Sequence, residues 1–125
     1  MSTLNKENGR ILVVDDNKVA LGAMADLLRR EGFPVLTARG GMDALHQAKT
    51  DERVCLMLLD LWMPLMDGWE VLRQKKEDSK IADIPVIVLS AIPPVSIEGA
   101  GAVLKKPVTP EALIETIKTI LQVNR

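Results

Sequence analysis

Three aspartates in this sequence stand where short apolar runs stop. Arg10-Ile11-Leu12-Val13-Val14 ends on the pair Asp15 and Asp16, and Val54-Cys55-Leu56-Met57-Leu58-Leu59 ends on Asp60. Adjacent aspartates are weak evidence alone, because one of them can cap a following helix. Asp60 is different: a carboxylate closing a wholly apolar run is costly unless it is paired or coordinated. If the runs are neighbouring strands, the three carboxylates meet and repel, and a hard divalent cation that takes oxygen ligands resolves the repulsion. A carboxylate so placed can attack phosphorus and hold a phosphoryl group as an acyl phosphate. The metal neutralises phosphoryl oxygens, while a lysine ammonium and a serine hydroxyl bind others. Ser90, after Val86-Ile87-Val88-Leu89, and Lys105 or Lys106, after Ala102-Val103-Leu104, are the candidates.

The elements that must position these residues alternate short β-branched runs with longer amphipathic ones. Residues 10–14 read as a buried strand. Over residues 18–30, Val19, Leu21, Met24, Leu27 and Leu28 recur at helical spacing, and Gly32 reads as the stop. The unit repeats: residues 33–37 as a strand, 41–49 as a helix with Met42, Leu45 and Ala48 inward, and 54–59 as a third strand. A loop then leads to a helix over residues 69–77. Residues 84–89 form a fourth strand with Pro85 near its start, where a missing N–H is tolerated, and 102–104 a short fifth. Thr109 caps a last helix over residues 110–121, with Pro110 at its first position and Glu111 in its first turn. Repeated βα units impose right-handed crossovers and a mostly parallel sheet with helices on both faces. Ligands gather beyond the C-terminal strand ends of such sheets, where Asp15, Asp16, Asp60, Ser90 and Lys105 or Lys106 all fall.

With 125 residues the chain matches one domain with its own core. The only aromatics are Phe33, Trp62 and Trp69, so that core must be aliphatic, as buried parallel strands prefer. A net charge of -1, from 16 basic and 17 acidic residues spread along the chain, provides no field to gather nucleic acid or anionic lipid. Cys55, the single cysteine, reads as a small buried hydrophobe. Residues 1–10 lack the apolar stretch of a secretion signal and no window spans a bilayer, so the expectation is a cytoplasmic protein. The expected layout is a flexible segment over residues 1–9, a domain over 10–123 and a tail at 124–125. His46, the single histidine, has no partner set for a zinc site and reads as a surface or packing residue. Met63, Leu65 and Met66 read as loop packing, Asp67-Gly68 as a turn that uses positive φ, and Lys18 as a charge that could tune the site.

Taken together, Val13-Val14-Asp15-Asp16-Asn17, the stretch from Asp60 to Gly68, Ser90-Ala91 and Lys106-Pro107 closely resemble the receiver domain of two-component response regulators, from about residue 10 to 121. The resemblance implies a flavodoxin-like (βα)5 fold with strand order 2-1-3-4-5, an order that is the general rule for this fold and is taken from it. It implies that Asp60 is the phosphoacceptor, that Asp16 binds Mg²⁺ directly with Asp15 assisting through water, and that the Trp62 main-chain carbonyl is a further ligand. It also implies that Ser90 turns its hydroxyl toward the phosphoryl group and that Lys106, which precedes Pro107, pairs with it. The implied donor is a phosphohistidine on a sensor histidine kinase or a phosphotransfer protein. The domain would catalyse its own phosphorylation and dephosphorylation, pass a shape change to a downstream protein, and exist as a monomer or weak homodimer. It would bind neither nucleic acid nor membrane.

Two departures from the family stand out. Between Ser90 and Lys106 too few residues remain for a full crossover, and Pro93-Pro94, Gly99 and Gly101 work against a helix, so the fourth helix is expected to be missing or reduced to a turn near residues 96–100. Val103 stands where the family usually has a tyrosine or phenylalanine that swings inward; valine is small and stiff. Further, Trp62 and Ile92 hold positions that flank the route of the hydrolysing water in the family, which predicts slow self-dephosphorylation. Two other functions compete. One is a pseudo-receiver, an interaction module of this fold without phosphoryl switching. The other is a Mg²⁺-dependent phosphatase of related type, which would need an acid/base aspartate where this chain has Trp62.

Overall fold

The computed structural model describes residues 9–123. Its element order is β1 (Arg10–Val14), α1 (Lys18–Arg30), β2 (Val35–Ala38), α2 (Gly41–Thr50), β3 (Val54–Asp60), α3 (Gly68–Lys76), β4 (Val86–Ser90), β5 (Ala102–Lys105) and α4 (Pro110–Val123). All strands pair in parallel in the order β2-β1-β3-β4-β5, the order that the family resemblance implied. Side chains alternate across the sheet, so each central strand feeds two cores. Leu12, Val14, Met57, Leu59, Val86 and Val88 pack with Ala44, Leu45, Val71 and Leu72 of α2 and α3. Ile11, Val13, Leu56, Leu58, Ile87 and Leu89 pack with Leu21 and Leu28 of α1 and Leu113 and Ile117 of α4. Burial on both faces is why β3 and β4 read as unbroken apolar runs.

The helix ends follow from local chemistry. Asn17 caps α1 by accepting from the Ala20 N–H, Asp67 caps α3 by accepting from Glu70, and Thr109 accepts from Ala112 at 3.1 Å. At the end of α1, Gly32 has φ 93°, its N–H donates to the Arg29 carbonyl and the Phe33 N–H to that of Leu28. This is the paired closure that a left-handed glycine permits.

Several sequence expectations need correcting. The second strand begins at Val35, because Phe33 is drawn into the α1 terminus and buried, and β4 begins at Val86, after Pro85. Val19 and Met42 keep helical spacing but lie on solvent faces, 81% and 70% exposed. The buried face of α1 is Leu21, Ala25 and Leu28 and that of α2 is Gly41, Ala44, Leu45 and Ala48, and Val19 and Met42 lie off those faces. Cys55 is half-buried, at the edge of the second core. Gly9 is buried, and residues 1–8 and 124–125, the rest of the expected N-terminal segment and the tail, lie outside the described residues.

The crossover from β4 to β5 contains no helix, only a turn closed by the Ala100 N–H on the Ile97 carbonyl. Ile97 is 9% exposed and plugs the first core. The expected loss of the crossover helix is what the structure contains. Val103 packs against that same core, half-buried.

Candidate functional site

Parallel pairing carries the ends of β1, β3, β4 and β5 to one rim. Leu59 lies beside Val14 and Val88, Asp60 beside Leu89, and Ser90 beside Lys105. Asp15 and Asp16 follow β1 directly. At the rim, carboxylate oxygens of Asp15, Asp16 and Asp60 lie within 4.8 Å of one another. The Lys106 ammonium stands 3.3 Å from Asp15 Oδ2 and 3.3 Å from Asp60 Oδ1. Of the two lysines left open by composition, Lys105 is exposed and Lys106 reaches the cluster, because adjacent strand residues face opposite ways. The Asp15 Oδ1 also accepts from the Asn17 N–H at 2.9 Å, which orients its carboxylate. Ser90 is buried, its hydroxyl accepting from the Ile92 N–H at 3.2 Å, and its carbonyl receives the Lys106 N–H. The following Lys106-Pro107 bond is cis.

The electrostatics reflect crowding. Burial pushes the Asp60 carboxyl above its ordinary value, Lys106 pulls it back, and Asp15 and Asp16 push it up again. Burial lowers the Lys106 ammonium, but Asp15 and Asp60 outweigh it and hold the group above the ordinary lysine value. Three acids against one ammonium leave an excess of negative charge in a partly buried site. Such an all-oxygen donor set fits a hard divalent cation.

The loop after Asp60 is held from both sides. Gly68 sits so close to the end of β3 that an added Cβ would lie 2.9 Å from Leu61 Cα and 3.1 Å from the Asp60 carbonyl oxygen. Its N–H donates to the Leu61 carbonyl at 2.8 Å. Gly41, the first residue of α2, forms the opposite notch, where a Cβ would meet the Met66 sulfur at 2.7 Å. The sequence reading assigned Gly68 a positive φ, but the left-handed residue is Leu65, at φ 68°, with its side chain fully in solvent. Met63 and Met66 do pack inward; Leu65 does not. Trp62 is 58% exposed and leans edge-on against Trp69, ring centroids 4.7 Å apart. That contact, and the close approach at Gly68, escaped the sequence reading, although glycine directly after a capping Asp67 was a visible signal for the second.

Known proteins resemble this chain in sequence and fold. A family model described as response regulator receiver domain matches residues 11–118. The chain belongs to this receiver domain family. Among its relatives, the polar-differentiation response regulator DivK of Brucella anthropi is 32% identical over 117 residues, covering 89% of this chain and 94% of the relative. The two-component response regulator ORR11 of Oryza sativa subsp. indica is 34% identical, covering 89% and 80%. Among solved structures, the chemotaxis protein CheY4 of Vibrio cholerae superposes with a TM-score of 0.83 at 27% identity, covering 90% of this chain and 98% of that one. A receiver domain protein of Methanospirillum hungatei gives 0.82 at 29%, covering 93% and 95%. This receiver domain thus presents an aspartate cluster of the phosphoacceptor type. Membership of the family implies a partner of the histidine kinase or phosphotransfer class. No helix among the described residues is long and apolar enough to cross a membrane.

Proposed function

We propose that this receiver domain takes a phosphoryl group from a phosphohistidine onto Asp60, with Asp15, Asp16, Asp60 and the Trp62 main-chain carbonyl holding Mg²⁺, and works in the cytoplasm. The observation that carries the reading is the meeting of Asp15, Asp60 and the Lys106 ammonium at 3.3 Å on the strand-end rim, with Asp16 and Ser90 beside them. An Asp60 carboxylate oxygen attacks phosphorus, the P–N bond to the donor imidazole breaks, and the imidazole leaves to take up a proton from solvent. Lys106 already spans Asp15 and Asp60, so its ammonium is in place to follow negative charge from the carboxylate to the phosphoryl oxygens. Ser90 can exchange its bond from the Ile92 N–H for one to a phosphoryl oxygen. When bound, Mg²⁺ supplies charge neutralisation at the transferring group.

Incubation with phosphoramidate and Mg²⁺, followed by intact-mass measurement, tests this. One added phosphoryl on wild type and none on Asp60→Ala is the expected result. No addition to either protein, with both folded by thermal melt, would replace the switch by a pseudo-receiver interaction module. Repeated release of phosphate from small esters would favour the phosphatase reading.

A further inference from the structure

The chain leaving β3 and the start of α3 are tied at two successive levels. At the first, the Gly68 N–H donates to the Leu61 carbonyl at 2.8 Å, while the Leu61 N–H donates to the Leu89 carbonyl in the sheet at 3.2 Å. Leu61 is thereby fixed at both its amide and its carbonyl. One residue further along, Trp62 meets Trp69 edge-on. The backbone has no matching tie at this level: among the described residues the Trp62 carbonyl accepts no hydrogen bond. Its direction is left to the side chains on either side of the peptide. Met63 is buried in the first core, whereas the Trp62 indole lies largely in solvent, braced by Trp69. Trp69 itself stands on a fixed base. Asp67 accepts from the Glu70 N–H at 3.0 Å with its side chain and from the Val71 N–H at 3.1 Å with its carbonyl, which holds the first turn of α3.

We propose that Trp69 is a positioning residue for the phosphoryl site: its ring holds the Trp62 indole, and through it the Trp62 main-chain carbonyl, in the orientation that binds Mg²⁺. This role rests on the reading of that carbonyl as a Mg²⁺ ligand and adds to it the group that aims it. With the indole unbraced, the peptide after Trp62 samples several orientations, and selecting one of them is taken out of metal affinity. An edge-on aromatic pair shifts such an equilibrium by about threefold to tenfold.

The test is titration of the full chain with Mg²⁺, followed by the amide NMR shifts of Asp16 and Asp60, which report the dissociation constant of the folded molecules alone. Trp69→Ala should weaken Mg²⁺ binding by about threefold to tenfold, and Trp69→Phe, which keeps an aromatic edge, should bind as wild type does. Trp62→Ala should weaken binding by a similar factor. Adding Trp69→Ala to Trp62→Ala should then cost nothing more, because the indole to be held is gone. A loss from Trp69→Ala that persists in the Trp62→Ala background would make Trp69 a packing residue of α3 and overturn the proposal. Full affinity in Trp69→Ala, or no rescue by Trp69→Phe, would overturn it as well, while leaving the metal site standing. Wild-type amides that ignore Mg²⁺ would instead remove the metal reading itself, and this role with it.

Discussion

Gly68→Ala tests whether the acceptor strand and α3 are joined by contact. The new methyl would lie 2.9 Å from Leu61 Cα and 3.1 Å from the Asp60 carbonyl oxygen. The first distance is shorter than real side-chain contacts and involves main chain, which cannot rotate aside. Overpacking of this kind costs about 1–3 kcal/mol. The gain from replacing glycine in a helix is at most about 1 kcal/mol and smaller at a first helical position such as this. For a chain of this size each kcal/mol moves Tm by about 4 °C, so a fall of about 4–12 °C is expected. The displaced carbonyl belongs to Asp60, so labelling by phosphoramidate should slow as well, by up to about a hundredfold if the carboxylate moves by ~1 Å. Gly22→Ala is the control: it lies within α1 with nothing inside 4 Å of an added methyl, and should stabilise by about 0.5–1 kcal/mol with labelling unchanged. Urea titration and labelling kinetics on the two variants decide the matter. A Gly68→Ala protein that melts and labels like wild type would refute the claim that this contact constrains the site.

Other consequences can be checked in the same assays. Ile97→Ala removes the buried side chain by which the crossover closes the first core and should cost about 2 kcal/mol, seen as a lower urea midpoint at unchanged slope. Lys75 binds its proton less tightly folded than unfolded, since burial lowers it from 10.5. Between the folded value and 10.5 the unfolded chain carries more protons, so stability should rise with pH across that window. Lys75→Met should abolish this rise and match or exceed wild type at neutral pH, the gap closing as pH approaches 10.5; a gap that widens would contradict it. Trp62→Ala should speed loss of the phosphoryl group several-fold, followed by intact mass over time, if the indole hinders the hydrolysing water; an unchanged decay would assign Trp62 to its contact with Trp69 alone.

The parts legible from sequence were those where one residue type answers one local demand. Apolar runs stopped by aspartates gave the strands and their functional ends, because burial on both faces leaves no other pattern. Pro93-Pro94 with Gly99 and Gly101 foretold a crossover without a helix. Harder were features set by three-dimensional neighbours. Val19 and Leu21 are both apolar letters of one helix, and only the packing partner shows that the face of Leu21, Ala25 and Leu28 is the buried one, with Val19 about 200° round the helix from Leu21. Gly68 was recognised as special for the wrong reason, since conformational freedom and lack of volume leave the same letter in the sequence. Lys75 reads as one of many helical surface lysines, and only the fold of residues 78–84 around it reveals its burial.

The shortened crossover also alters how the sheet edge is tethered. Residues 61–85 separate β3 from β4, whereas residues 91–101 suffice between β4 and β5. Each halving of a flexible connection lowers the entropy lost in closing it by about 0.6 kcal/mol. Dispensing with a helix therefore forfeits packing but keeps the last strand on a shorter leash, so the outermost ladder gives back part of that loss before any side chain makes contact.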